Sequence, residues 1–469
     1  MSLVLAVNVV LADELTAARY QMGLSLGFHI VLSCFGVALP AMIYVLHRRG
    51  LRRNDPVALD LAHKWAKAGA VLFAVGAVSG TILSFEMGLL WPGLMEAFGD
   101  VLGLPFALEG IAFFVEAIFM GIYLYGWGRL PPAVHLRTLL PQIAAGVFGT
   151  FCVLAVNAWM NAPAGFTLGP PDATGRPTVT DVDPLAAIFN RAVWQQFAHM
   201  FVACYLVTGF CVAAVYATGM LRGRRDEHHR LGFTVPFTFA GIAALLQPVI
   251  GHIAGMRLYS DQPAKLAAME LAVEPETRAP LRLGGLLIDG EVRYDVPIPW
   301  VGSLLSRSNI DRAVPGLAEI PVDQRPPANV VHTSFQLMVG AGLVMAAIAV
   351  WFGVRWWRAR RTGADPFAGR WLLRATVIAG VLSVVALESG WTTTEVGRQP
   401  WIVHGVMRVE DAVTRNGGIW VTFAVIVVVY TLMTTGAVTV LWSMARRWRA
   451  SGDVELPAPY DPSVPTVPE

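Results

Sequence analysis

The sequence predicts an all-α, polytopic membrane protein of about nine transmembrane helices, N-terminus outside and C-terminus inside. Three observations carry this. The 469 residues are 55% hydrophobic and only 14% charged, where a soluble domain carries roughly 25% charged residues. Apolar stretches long enough for a crossing, at roughly 20 residues each, recur along the chain. Clusters of arginine fall after alternate stretches, and short basic loops stay on the cytoplasmic side.

Taken in order, the spans fall near 20–46, 62–86, 104–127, 138–161, 192–221, 232–254, 331–356, 371–394 and 417–445. His47-Arg48-Arg49-Gly50-Leu51-Arg52-Arg53 follows the first span, and Arg222-Gly223-Arg224-Arg225 with Arg230 follows the fifth. Arg355, Arg358, Arg360 and Arg361 follow the seventh, and Arg446, Arg447 and Arg449 the ninth. With nine crossings all four clusters share one side, the inside. The chain then divides into an outer segment 1–19, helices 1–6 over 20–254, an outer loop 255–330, helices 7–9 over 331–446 and a cytoplasmic tail 447–469. The outer loop is rich in proline and charge, and too long to be a simple connection. The proline-rich stretch Ala450 to Glu469 is expected to be disordered.

Several classes are disfavoured. A net charge of +2 gives no reason to invoke nucleic acid. Cys34, Cys152, Cys204 and Cys211 lie inside apolar runs and read as packing residues. Met1 to Ala12 is apolar without a basic flank, so no cleaved signal peptide is expected. No internal repeat is visible, which argues against an inverted-repeat transporter.

The most informative stretch is Glu388-Ser389-Gly390-Trp391-Thr392-Thr393-Thr394-Glu395-Val396-Gly397-Arg398-Gln399-Pro400-Trp401. Ionisable groups at the end of a span need a partner, such as a metal or a charged cofactor edge. Glu395 and Arg398 are one turn apart and can pair. Arg398 could instead hold an acidic cofactor edge, or anchor the interface together with Trp391 and Trp401. Glu388 has no evident role. Among the histidines, His47, His135, His228 and His229 lie in basic linkers and read as surface residues. His29, His199, His252 and His332 lie in or beside spans. His199 and Met338 sit at matched depth, and His with Met is a known axial pair for an electron-transfer heme. Taken alone, Met338 reads as a packing residue. His29, Glu109 and Glu395 fall in the same outer layer, although carboxylates at an interface are inexpensive. Glu109 and the deeper Glu116 share one helix face, suited to proton relay. Asn157 and Asn161 add polar groups at the outer end of the fourth span. In the outer loop, Lys265-Leu266-Ala267-Ala268-Met269-Glu270 reads as a short amphipathic helix. Its charges are either simply solvated or placed to meet a quinol headgroup.

In the order in which they occur, these motifs resemble subunit I of the cytochrome bd type quinol oxidases. The resemblance runs from about Arg19 to Trp442. It is densest in Gly397–Trp401 with Glu395 and Trp391, and continues in Asn157–Asn161, Phe197-Ala198-His199, Lys265–Glu270 and Leu337-Met338-Val339-Gly340. It implies that His199 and Met338 are axial ligands of a low-spin heme b. Glu395 matches the ligand of a high-spin heme b. His29 matches that of a heme d, with Glu109 near or on its opposite face. Members differ in which high-spin heme takes which place, so these two assignments are interchangeable. Arg19, Trp391 and Arg398 match residues around the high-spin hemes, Lys265 and Glu270 the quinol positions, and Glu116 an acid on the proton path, with Asn157 beside it. Gln336 stands where the enterobacterial members have arginine, which leaves the low-spin heme one positive charge short. The loop lacks their long insertion, and the Glu109–Glu116 spacing is one shorter. These departures resemble the cyanide-insensitive, short-loop branch, where heme d is less uniform.

The resemblance implies a quinol:oxygen oxidoreductase of a bacterial cytoplasmic membrane. Ubiquinol or menaquinol would be oxidised at the outer face and oxygen reduced to water with protons from inside, separating charge across the membrane. Its expected partners are a second membrane subunit, subunit II, a small accessory subunit and the lipid bilayer. The alternatives are a heme-binding sensor without turnover and a non-heme transporter. The transporter leaves the matched depth of His199 and Met338 unexplained.

Overall fold

The computed structural model describes residues 2–172, 176–307, 311, 313–451 and 460. Among these, nine helices are long and apolar enough to cross a membrane, as expected. They are α1 (Ser2–Arg53), α2 (Pro56–Leu90), α3 (Pro92–Gly126), α5 (Leu139–Asn161) extended by the short α4 (Pro132–Arg137), α7 (Val193–Leu221), α8 (Glu227–Asp261), α11 (Ala328–Thr362), α12 (Arg370–Val396) and α14 (Ile419–Ser451). Short helices α6 (Pro184–Ile188), α9 (Pro263–Glu270), α10 (Val301–Arg307) and α13 (Val409–Ala412) lie in the connections. In a bilayer only hydrogen bonds within the chain satisfy the backbone, which is why every crossing is helical. Most of the helices run past the expected boundaries. In particular α8 continues to Asp261, so the long loop starts at Gln262 rather than near 255.

The spans pack as two rings of four. In the first, α1 touches α2, α2 touches α3, α3 touches α5 and α5 closes on α1. In the second, α7 touches α8, α8 touches α11, α11 touches α12 and α12 returns to α7. The rings meet where α7 packs on α1 and α5. Glycines permit the closest approaches. A Cβ on Gly209 of α7 would lie 2.6 Å from the Pro236 carbonyl oxygen of α8, and one on Gly380 of α12 would lie 2.8 Å from the Ala214 Cβ of α7. Membrane helices associate largely through such close packing, because lipid offers no hydrophobic drive between them.

The last helix, α14, lies outside both rings against α1 and α2. Its first turn is capped by the first helix. The buried Glu14 carboxylate accepts from the backbone N–H of Gly418 (2.9 Å) and Ile419 (3.1 Å). Negative charge at a helix N-terminus satisfies orphan N–H groups and complements the helix dipole. Thr422 donates to Gln21 at 2.8 Å one turn deeper.

The arginine clusters gather at one end of the bundle, called here the basic end, and the long loop at the other, the loop end. A short pair, β1 (Thr167–Leu168) and β2 (Val179–Thr180), lies between α5 and α6. The long loop contains α9 and a hairpin of β3 (Leu281–Ile288) and β4 (Glu291–Ile298). Its turn is Asp289-Gly290, both with positive φ (52° and 83°), the geometry a two-residue hairpin turn requires. The start of α11 clasps this loop. Leu287 N–H donates to Asn329 Oδ1 at 2.6 Å, Gln336 Nε2 donates to the Arg282 carbonyl at 2.9 Å, and the ring nitrogens of His332 lie 2.7 and 2.8 Å from the Met269 and Gly284 carbonyls. His332 is thus a loop clasp.

Two surface expectations are corrected. His47 and His135 are fully buried at the basic end. His47 Nδ1 pairs with the Tyr123 hydroxyl at 3.0 Å, and His135 Nδ1 with that of Tyr460 at 2.7 Å. Both face inward because helix periodicity, not the basic flank, decides the side they occupy. The expected disorder of 450–469 lies outside the described residues, apart from Ala450 and Ser451 in α14 and Tyr460.

Gly209→Ala is expected to destabilise the protein by about 1–3 kcal/mol, the usual cost of overpacking, because its Cβ meets backbone. Gly23→Ala, whose Cβ meets nothing within 4 Å, should leave stability unchanged. Thermal unfolding of the two detergent-solubilised variants checks this; equal midpoints would contradict the close α7–α8 contact.

Candidate functional site

Each ring holds candidate ligands on diagonally placed helices. In the second ring His199 is on α7 and Met338 on α11, helices separated by α8 and α12. Each side chain lies against a glycine of an intervening helix. A Cβ on Gly251 of α8 would stand 3.4 Å from His199 Cε1, and one on Gly390 of α12 would stand 2.8 Å from the Met338 sulfur. His199 Nδ1 is buried without a hydrogen-bond partner, as are Gln195 Oε1 one turn away and Gln247 Oε1. Gln247 donates its amide to the His199 carbonyl at 3.1 Å. Three orphaned polar atoms around one imidazole are costly in an apolar bundle, and a heme plane between diagonal helices fits that donor set.

In the first ring His29 is on α1 and Glu109 and Glu116 are on α3. Ser79 Oγ donates to the Gly76 carbonyl at 3.0 Å and stands 2.9 Å from His29 Nδ1. With its own hydrogen committed, Ser79 accepts from Nδ1–H. This leaves the Nε2 lone pair free, the tautomer a metal-ligating histidine adopts. Gly80 makes room for the ring, since a Cβ there would lie 2.9 Å from His29 Cε1. The Glu116 carboxylate lies between Gly36 of α1 and Gly146 of α5, 3.5 and 3.6 Å from a Cβ built on each, and its Oε1 has no partner. The Glu388 carboxylate reaches α1, 3.1 Å from a Cβ on Gly27.

Where the rings meet at the loop end, Glu395 is held by two donors. Asn157 Nδ2 of α5 donates to Oε1 and Arg398 Nη2 donates to Oε2, both at 2.6 Å. Arg398 is buried, and its Nε and Nη1 have no partner; nor has the indole N–H of Trp391. These orphan donors suit the carboxylates of a heme edge. Arg19 is more exposed and reaches this corner by donating to Gln399 Oε1 at 2.9 Å. Among the described residues, no group of three His, Cys, Asp or Glu side chains is arranged to cage a bare metal ion.

The loop helix α9 docks onto the same corner. Lys265 Nζ donates to Asn161 Oδ1 at 2.8 Å. Its stem lies on Gly397, 2.8 Å from where a Cβ would be. Burial, then the positive Arg398, lower the Lys265 pKa to about 7, partly opposed by Glu395. Glu270, pushed up to about 7 by burial, faces away, toward a cavity of about 210 Å³ lined with Glu276 and Arg282. The two α9 charges therefore do not share one pocket wall. A further histidine of the loop end is His404. It joins this corner from the turn between β5 (Trp401–Val403) and β6 (Met407–Arg408). Its Nδ1 is buried and unpartnered, and burial, then Lys265 and Arg398, lower its pKa to about 4. Its place immediately after Gly397–Trp401 was the available signal.

Comparison with known proteins gives one result throughout. A family model described as cytochrome bd terminal oxidase subunit I matches residues 17–448. A Bacillus subtilis relative described as a candidate cytochrome bd menaquinol oxidase subunit I is 36% identical over 94% of this chain and 99% of its own length. Another from the same organism, a cytochrome bd ubiquinol oxidase subunit 1, is 28% identical over 86% of this chain and 87% of its own. Among solved structures, the bd oxidase from Geobacillus thermodenitrificans superposes with a TM-score of 0.85 at 34% identity, covering 93% of this chain and 99% of that one.

The two α9 residues make the loop sensitive to pH in opposite senses. Folded Lys265 releases its proton near 7 but unfolded near 10.5, so over that interval the unfolded chain binds more protons and stability rises with pH. Folded Glu270 keeps its proton to about 7 but loses it near 4.5 when unfolded, so stability falls as pH rises between those values. Hydrogen-exchange protection of α9 is expected to be lowest near neutral pH. Lys265→Met should remove the alkaline rise and Glu270→Gln the acid one. Protection independent of pH would contradict both burial effects.

Proposed function

The chain belongs to the family of cytochrome bd terminal oxidase subunit I, and from that premise we propose how its own residues divide the work. It is a subunit of a terminal quinol oxidase, a membrane enzyme with heme cofactors whose substrate is a quinol, and it works with a second subunit, subunit II. The arginine-rich end faces the cytoplasm of a bacterial cell, in its cytoplasmic membrane, and the loop end faces outside.

His199 and Met338 hold a low-spin heme b between the diagonal helices of the second ring. His29 holds one high-spin heme in the first ring, with Glu109 on the facing helix. Glu395 holds the other where the rings meet. Heme b and heme d are the proposed occupants of these two places, in either order. When bound, heme supplies the iron that carries electrons and reduces oxygen to water. Arg398, Trp391 and Arg19 hold the acidic edges of the high-spin pair.

The quinol-binding segment is the loop 262–327. Lys265 and Glu270, on different sides of α9, are its proposed quinol-site residues. Near-neutral pKa values let such groups take and pass on protons at working pH, and these protons leave on the loop side. Glu116, set deep between α1, α3 and α5, holds the proton drawn from the basic end, and Glu109 lies beyond it on the same helix face. Separate proton sides at the two ends give charge separation without a pump.

The observation that carries this proposal is the diagonal placement of His199 and Met338, each against a glycine, with orphaned polar atoms around the imidazole. His199→Ala is expected to lose the low-spin heme b signal in pyridine-hemochrome and reduced-minus-oxidised spectra, and to lose quinol-dependent oxygen uptake. A low-spin signal that persisted unchanged would refute the ligand assignment.

A further inference from the structure

Resting on that proposal, we propose that Asn161 is a positioning residue that couples the quinol loop to the iron ligand Glu395. An unbroken file of hydrogen bonds, buried at the loop end and half-buried at Glu395, joins them. Lys265 Nζ and Gln262 Nε2 donate to Asn161 Oδ1 at 2.8 and 2.9 Å. Asn161 Nδ2 donates to the Asn157 carbonyl at 2.9 Å and to its Oδ1 at 3.3 Å. Asn157 Nδ2 donates to Glu395 Oε1 at 2.6 Å.

The ends of the file set its direction. A carboxylate accepts only and an ammonium donates only. Asn157 must therefore turn its amide nitrogen to Glu395, and Asn161 its oxygen to Lys265. Every bond then donates toward Glu395, and aligned bonds polarise one another in a low-dielectric interior. Asn161, Gln262 and Lys265 are each at most 4% exposed, so water does not substitute for a missing member. Gln262 also donates to the Asn161 backbone carbonyl at 2.8 Å and is the residue from which α9 starts. Asn161, the last residue of α5, thus fixes the entry of the loop helix on one side and the ligand carboxylate on the other. A change of charge or occupancy at Lys265 alters the electron density that Glu395 offers its iron. A change at that iron is felt in turn at the quinol site.

The test is a double-mutant cycle read on the high-spin bands of the air-oxidised holoenzyme without quinol, together with KM and kcat for decylubiquinol. Lys265→Met alone should displace the high-spin bands. In an Asn161→Ala background it should displace them no further, since coupled residues are non-additive. Asn161→Ala should raise KM about tenfold, the effect of losing one charge-assisted hydrogen bond, with a smaller fall in kcat. Asn161→Asp keeps the oxygen facing Lys265 but cannot donate to Asn157, so it should restore KM while leaving the bands displaced. Additive band shifts, or bands that Asn161→Ala leaves in place, would overturn the coupling. The underlying assignments fail separately: an unchanged KM in Lys265→Met would remove the quinol role of Lys265. High-spin bands unaltered in Glu395→Gln would remove the ligand, and the coupling with it.

Discussion

The charge on Glu395 sits where α12 stops, and the loop end of the molecule is built around its neutralisation. An ionised group at this position needs hydrogen-bonding partners close by. Its two donors come from different places: Arg398 from the turn after its own helix, Asn157 from the other ring. Satisfying one carboxylate therefore ties the two rings together. Asn161, one turn from Asn157, extends the same requirement to the loop. Arg398 in turn is buried with two donor nitrogens unpaired, so the pair neutralises itself and still offers hydrogen bonds to an acidic group.

Close helix approach is the second requirement. The candidate ligands are long side chains on helices that also have to pack, and a neighbour with a side chain of its own would push them aside. Gly80, Gly251 and Gly390 each stand opposite one of them. Gly209 and Gly380 draw α8 and α12 against α7. That brings the helices around His199 and Met338 into one ring. The same small residues therefore serve membrane packing and leave room at the ligand positions.

Much of this was legible in the sequence, because a bilayer imposes length and polarity rules that are read without a structure. The nine spans and the arginine-rich end follow from them. A residue that carries charge deep in an apolar run also announces itself: Glu116 could be picked out on cost alone, and Glu395 with Arg398 by their clustering at the end of a span. What was missed depends on which face of a helix a residue occupies. His47 follows Ile43 by four positions and precedes Gly50 by three, a buried stripe at helical spacing, yet its basic flank suggested solvent. Lys265 and Glu270, five apart on a helix of 3.6 residues per turn, point about 140° apart and find different neighbours. The hairpin had only the Asp289-Gly290 turn to signal it.

The amides were the least legible part for a physical reason. Neutral asparagines cost little to place near a membrane surface, so apart from the family resemblance Asn157 and Asn161 stood out only as polar. Their value lies in doing two things at once. An amide accepts from an ammonium with its oxygen while donating to another acceptor with its nitrogen. Lysine or arginine in the same place could only donate, and a carboxylate could only accept. A path that begins at a buried lysine and ends at a half-buried carboxylate needs links with both capacities and no net charge. Serine or threonine has them too, but the side chain is too short to bridge between α9 and α5. The relay is therefore made of the residue type that attracts least attention in a sequence.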